Sequence, residues 1–251
     1  MAFAGPAASA TMHAMPKLIL LPGLAADAAM WAAQRKALAA TRAPHITDVH
    51  FRFDTLPAMA SALLAEHAGE LLLCGASMGG ILALEVLRQA PERVRGVAFL
   101  GSTARPDTPE IAALRAQAFA MIEAGRYEEM ITGNVPFSFH PERLGERELV
   151  DAYLDMLRRA GPEQLVRQNL ATAARPDSRP LLPAIRCPVL VLCGDADVVT
   201  TVEASREIAQ CVPNADFELI ERCGHMVTME RPREVNAALV GWLRRYFRTS
   251  S

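Results

Sequence analysis

The chain has 251 residues, 51% of them hydrophobic and 22% charged, with a formal net charge of -2. That length suits one α/β domain with an insertion, and the apolar share is enough for a large buried core. The nearly balanced charge removes the electrostatic case for a nucleic-acid or membrane-surface partner, and no stretch reaches the length of a membrane span.

Residues 1–15, MAFAGPAASATMHAM, have neither a basic start nor a continuous apolar centre, so they read as a disordered leader and not as a signal peptide. KLILL (17–21), ended by Pro22-Gly23, reads as a buried parallel strand and a turn. A helix is expected over 28–40, a strand over 45–51, and a helix over 57–67 with Pro57 in its first turn. ELLLCG (70–75) reads as a strand ending in glycine, 79–89 as a helix stopped by Pro91, and 94–100 as another strand. Strand and helix thus alternate, the pattern of a parallel sheet with helices on both faces.

From 102 to about 182 no strand is apparent; helices are expected near 109–124, 146–159 and 162–173, with Gly- or Pro-bearing joints. Alternation resumes with a strand over 188–194, a helix over 202–210, a strand over 216–220 and a helix over 232–245. The expected organisation is one α/β core, 16–102 and 183–251, interrupted by a helical cap at 103–182. The interruption falls at the carboxyl end of the sheet, where open α/β sheets hold ligands. It is therefore placed to act as a lid.

Gly75-Ala76-Ser77-Met78-Gly79 follows the apolar run LLLC and opens the helix ILALEVLRQ. A serine on a sharp strand-to-helix turn needs neighbours without bulky side chains, which is what the two glycines provide. The turn also sets Ser77 at a helix N-terminus, where the dipole favours developing negative charge. A serine hydroxyl is a weak nucleophile until a base takes its proton. Of the six histidines, His13 lies in the leader, His45, His50 and His67 precede the serine, and His140 lies in the insertion. His225 follows the last expected strand, on a loop at the same sheet edge as Ser77. Asp195 and Asp197 both follow the 188–194 strand and either could orient His225. Asp197 is favoured because it can turn back over the sheet edge, leaving Asp195 a turn or cap role. For the oxyanion of acyl transfer, the Met78 N–H and the Leu24 N–H are the candidate donors, with Gly23 allowing close approach.

On LILLPGLAAD, LLLCGASMGGILALEV, PERVRGVAFLGST, PVLVLCGDADVVT and CGHMVTMERPREVNAALVGWL, the chain resembles the α/β-hydrolase superfamily from Lys17 to Arg245. The resemblance implies the α/β-hydrolase fold, a mostly parallel sheet flanked by helices with an inserted helical cap, and no cofactor or metal. It matches Ser77, His225, Leu24 and Met78 to the roles above and supports Asp197 over Asp195. Two departures stand out. Pro22-Gly23 replaces the family's frequent His-Gly, which alters the polar support of the oxyanion loop, and the first antiparallel strands of the family are missing.

Phe119, Met121, Met130, Phe137, Phe139, Tyr153, Met156 and Met226 are candidates for an apolar substrate pocket, though amphipathic helices need such residues for their own core. Arg115, Arg126, Arg143, Arg147, Arg158, Arg159 and Arg167 read as solvated helix faces before substrate anchors. Trp31 reads as core. Five cysteines without CxxC spacing fit free thiols in a reducing compartment, so the cytoplasm is the expected location. The expected activity is hydrolysis of a carboxylic ester of a small, largely apolar molecule through an acyl-enzyme. The same triad could act on a thioester, a lactone or the carbon–carbon bond of a β-diketone, and a non-catalytic ligand receptor is the reading from another class.

Overall fold

Alternate side chains of a strand face opposite ways, and the apolar runs of this chain use both faces. The structure, a computed structural model, describes residues 15–247. In β1 (Lys17–Leu21), Leu18 and Leu20 pack on one face of the sheet, and Ile19 and Leu21 on the other. The same division separates Leu72 and Cys74 from Leu71 and Leu73 in β3 (Leu71–Ala76). It also separates Ala98 and Leu100 from Val97 and Phe99 in β4 (Val94–Leu100). Strands buried on both faces need a helical layer on each side. One layer includes α1 (Ala32–Leu38) and α11 (Pro232–Tyr246). The other includes α3 (Leu56–Glu66), α4 (Met78–Gln89) and α9 (Val202–Cys211).

Six strands form the sheet in the order β2-β1-β3-β4-β5-β6, with β2 at His45–Ile46, β5 at Val189–Gly194 and β6 at Ala215–Ile220. All five pairings among them are parallel. The chain leaves β1 toward one edge and returns at β3 on the other side, so the strand order reverses between β1 and β3. A crevice opens at the carboxyl ends of strands at such a switch point. Ser77 follows β3 and Leu24 follows β1 there.

The strand expected over 45–51 is corrected. Only His45–Ile46 pairs with the sheet, and Val49–Arg52 forms the short helix α2. Asp48 sits at the N-cap position and its carboxylate meets Arg52 at 2.9 Å, an i,i+4 pair that favours the helical turn. The helix expected over 28–40 begins as a 3-10 turn at Ala28–Trp31 and continues as α1. Trp31 is fully buried in the core. Apart from Met15, which is exposed, the expected leader lies outside the described residues.

Between β4 and β5 the chain is helical: α5 (Pro109–Glu123), α6 (Tyr127–Gly133), α7 (Val135–Ser138) and α8 (Arg147–Ala173). The joint expected between 159 and 162 is present as a kink inside α8. Gly161 adopts φ 79 and Pro162 follows it, so the two halves are separate helical runs. Ile131, Val135, Phe139, Tyr153, Leu154, Met156, Leu157 and Leu165 of this insertion join the core that covers one face of the sheet.

The two ends of the insertion are tied together by buried charge. Arg175 reaches Asp107 at 2.5 Å and the carbonyl of Arg105 at 2.8 Å, and Arg115 meets the second oxygen of Asp107 at 2.6 Å. Burial alone would raise the Asp107 carboxyl, but the two guanidinium groups hold it below its ordinary range. Among the described residues no helix is long and apolar enough to cross a membrane. All five cysteines are free, with Cys74, Cys193 and Cys223 buried.

Candidate active site

Ser77 is the single residue between the end of β3 and the start of α4. Its φ of 51 and ψ of -117 lie in a region that a residue with a Cβ enters only under strain. The flanking glycines make that turn possible. A Cβ on Gly75 would run into the backbone of Gly79 and Gly80, and a Cβ on Gly79 would run into the carbonyl of Leu21. Bonds to the Ser77 backbone fix the elbow. Ser77 N–H donates to Leu100 O at 2.9 Å, while its carbonyl accepts from Gly80 N–H and from the Ser102 hydroxyl, both at 2.9 Å.

The structure brings Ser77, Asp197 and His225 together. Ser77 Oγ lies 2.9 Å from His225 Nε2, and His225 Nδ1 lies 2.9 Å from Asp197 Oδ2. These groups come from loops after β3, β5 and β6, at one edge of the sheet. Asp197 Oδ1 accepts from the N–H groups of Val199 and Thr200, each at 2.9 Å. The Thr200 hydroxyl lies 3.0 Å from Asp197 Oδ2 and 3.3 Å from His225 Nδ1. Gly101 leaves room for this group, since a Cβ there would stand 3.1 Å from Asp197 Oδ2. Asp195 points elsewhere: its Oδ1 accepts from Cys223 N–H at 3.0 Å, tying the β5 loop to the β6 loop.

Burial alone would lower the His225 imidazole pKa, but the Asp197 carboxylate bonded to it more than reverses this, so it rises above the ordinary 6.5. The Asp197 carboxyl moves the opposite way. Burial would raise it, and the adjacent imidazole together with the Thr200 and Val199 N–H groups brings it below 3.8.

Gly23 passes close to Ser77, with space for a Cβ only 3.4 Å from Ser77 Cβ. The N–H groups of Leu24 and Met78 donate to no acceptor among the described residues. Both therefore remain available at the elbow. No cluster of His, Cys, Asp and Glu among those residues is arranged to hold a metal ion.

The candidate pocket residues are scattered. Phe139, Tyr153, Met156 and Met226 are buried in the core, and Met130 packs against that core half-buried. Phe139 meets Tyr153 edge-on at 5.2 Å, and the Tyr153 hydroxyl is held by Ser138 at 2.9 Å and Asn134 at 3.0 Å. Phe119 and Met121 are half-buried, whereas Phe137 is 57% exposed. Most of the arginines meet the protein's own acids: Arg126 pairs with Glu129, Arg143 with Glu146, Arg158 with Glu128 and Asp155, Arg159 with Asp27, and Arg167 with Asp54. Arg147 is exposed.

Sequence reasoning did not single out Thr200 or Glu230. Glu230 is almost fully buried and accepts from Gly224 N–H at 2.9 Å and from His140 N–H at 2.8 Å. It thereby joins the histidine loop to the insertion, and Met226 N–H, donating to Ser138 O at 3.0 Å, adds a second link. Burial pushes the Glu230 carboxyl up despite those two donors. A glutamate between an apolar residue and Arg-Pro, five positions beyond a histidine, carries no chemical signal until the two loops are seen to meet.

The alpha/beta hydrolase family matches this chain over residues 18–238. A pimeloyl-[acyl-carrier protein] methyl ester esterase from Aromatoleum aromaticum is 26% identical over 242 residues, covering 87% of this chain and 94% of its own. Among solved structures, an esterase from Thermogutta terrifontis aligns with a TM-score of 0.84 at 29% identity, covering 94% of this chain and 91% of its own. An enol-lactonase from Burkholderia xenovorans LB400 shares the fold with a TM-score of 0.82 at 22% identity, covering 92% of this chain and 93% of its own. The family match starts within β1 and runs into the final helix, taking in every loop that meets at the elbow. The chain therefore belongs to the alpha/beta hydrolase family.

Proposed function

We propose that this chain is a carboxylic-ester hydrolase that works through an acyl-enzyme on a small, largely apolar substrate. The observation that carries the reading is the unbroken relay from Ser77 Oγ through His225 to Asp197, with both steps at 2.9 Å. His225 Nε2 takes the hydroxyl proton as Ser77 Oγ attacks the ester carbonyl carbon. The carbonyl oxygen becomes an oxyanion that accepts from Leu24 N–H and Met78 N–H. Collapse expels the alkoxide, which leaves as alcohol with the proton from His225. Water then repeats the sequence on the acyl-enzyme, releasing acid and restoring Ser77. Asp197 stays ionised throughout and stabilises the imidazolium.

The helical insertion acts as the cap in this reading. Phe119 and Met130, both half-buried, remain its candidate apolar wall residues, and Met226 on the histidine loop is more deeply buried. Phe139 and Tyr153 act mainly by packing the cap, and Phe137 sits at its surface. The test is a panel of p-nitrophenyl esters, acyl thioesters and lactones, with labelling by a fluorophosphonate. Ester turnover with stoichiometric label on Ser77 is expected. A label that lands on any other residue removes the assignment, and turnover confined to thioesters or lactones reassigns the bond.

A pH dependence follows from the imidazole. The base must be neutral to accept the serine proton, and its pKa is raised, so activity is lost as pH falls through a value above 6.5. The expected profile of kcat/KM for a neutral ester is a single acid limb with its midpoint above that value. A midpoint at or below it would show that burial outweighs the Asp197 carboxylate at the imidazole.

A further inference from the structure

The loop after β1 holds a conformation that its own sequence does not favour. Ala25 has φ 54, in the left-handed region that residues with a Cβ rarely occupy. Within the loop, Ala26 N–H donates to Gly23 O at 3.2 Å around Leu24 and Ala25, and Gly23 N–H donates to Met30 Sδ at 3.3 Å. The stronger hold comes from far along the chain. Ala25 N–H donates at 2.7 Å to Oε1 of Gln168, on the second half of α8 in the insertion. Gln168 is 0% exposed. Its Nε2 donates to the carbonyl of His50 at 3.1 Å, and His50 Nε2 in turn donates to the carbonyl of Ala26 at 2.8 Å. One partner is a donor and the other an acceptor, so the orientation of the amide is fixed by its bonds. Another tie, Arg159 to Asp27 at 2.8 Å, is largely exposed and contributes little.

A buried carboxamide on a helix of the insertion thus grips the residue immediately after Leu24. Building on the acyl-transfer reading above, we propose that Gln168 is a positioning residue. By holding Ala25 it aims the Leu24 N–H at the developing oxyanion, so that seating the insertion and assembling the oxyanion hole are one event. Gln168 and His50 supply the polar support that Pro22 cannot give this loop. The donor acts where charge develops in the transition state, and the ground-state ester gains little from it. Loss of the grip therefore falls on kcat and leaves KM nearly unchanged.

The experiment compares Gln168→Met and Gln168→Glu with the wild type on p-nitrophenyl butyrate, with active sites counted by fluorophosphonate titration. Ser77→Ala is run beside them. The Met variant keeps the volume and removes the bonds to Ala25 and His50, together with a longer one from Nε2 to Gln164 Oε1 at 3.4 Å. Its kcat is expected to fall roughly 10- to 100-fold with KM within about 3-fold, and its affinity for phenylboronic acid, which forms a tetrahedral adduct on the serine, to weaken in parallel. In the Glu variant the buried carboxyl takes up a proton, accepts from Ala25 N–H and donates to His50 O, reproducing both bonds. Its kcat is expected within about 10-fold of wild type at neutral pH and to fall as pH rises and the new carboxyl ionises, an alkaline limb absent from the wild type. The ionisable neighbours on the packed elements, His50 and Asp48 at α2, Asp27 on the loop, and Arg159 and Arg167 on α8, are the same in all variants.

A side chain that only fills space gives the reverse order, since Met packs better than a buried acid. A Met variant with wild-type kcat, a loss in KM alone, or Met above Glu at every pH overturns the proposal. Should the Met variant not fold, the alkaline limb of the Glu variant decides alone: its presence supports the grip and its absence refutes it. Turnover that persists in Ser77→Ala overturns the acyl-transfer reading itself, whereas an inactive Ser77→Ala beside an unaffected Gln168→Met overturns only this inference.

Discussion

Ser77→Ala is expected to lower kcat for an activated ester by about 10⁴- to 10⁶-fold, leaving only what substrate binding and the oxyanion donors supply. The substitution removes one oxygen and little else. The elbow is held by backbone bonds to Leu100 and Gly80 and by the Ser102 hydroxyl on the Ser77 carbonyl, none of which involves Oγ. Alanine adopts φ 51 at a cost similar to that of serine, because both carry a Cβ. The side-chain bond that disappears is the one to His225 Nε2, so stability is expected to shift by no more than about 1 kcal/mol. Activity and thermal unfolding measured on the same preparation separate the two effects. A kcat within 10-fold of wild type in a folded variant would show that another group carries the attack.

How far this site could be read from the residues depends on the range of the contacts involved. The sheet was legible because its strands are buried on both faces, and that leaves continuous apolar runs such as LLLC and VLVLC. The elbow was legible because crowding at one turn demands glycines at fixed offsets, a local constraint. The kink in α8 was marked by Gly161-Pro162, because a φ of 79 favours glycine and proline interrupts the helical ladder, again a local constraint. The misread segment at 45–51 has alternation that suits a strand, but the burial of Val49 and His50, with His50 bonded to the Ala26 carbonyl, favours a helical turn. Contacts across the fold left no local trace. Gln168 looks like any polar helix residue until α8 is seen to lie against the β1 loop. Tyr153 looked available to substrate, but its hydroxyl is already bonded to Ser138 and Asn134.

The choice between the two aspartates yields the second large effect. Asp197→Asn is expected to reduce kcat by about 10⁴-fold, and Asp195→Asn by less than about 10-fold. The reason lies in which oxygen is already committed. Oδ1 of Asp197 accepts two backbone N–H groups, from Val199 and Thr200, so an asparagine there must place its carbonyl oxygen at that position. Its NH2 then faces His225 Nδ1, where a carboxylate oxygen now stands at 2.9 Å. Nδ1 becomes an acceptor, the ring proton moves to Nε2, and Nε2 no longer has a lone pair for the Ser77 proton. The acid limb of the pH profile should move down as well, because the charge that raises the imidazole pKa is gone. Asp195→Asn leaves the relay untouched, and its carbonyl can still accept from Cys223 N–H. Its effect should appear mainly in thermal stability, through the tie between the β5 and β6 loops. Equal losses of kcat in the two variants would mean that the orientation of His225 depends on both loops together and not on the Asp197 carboxylate.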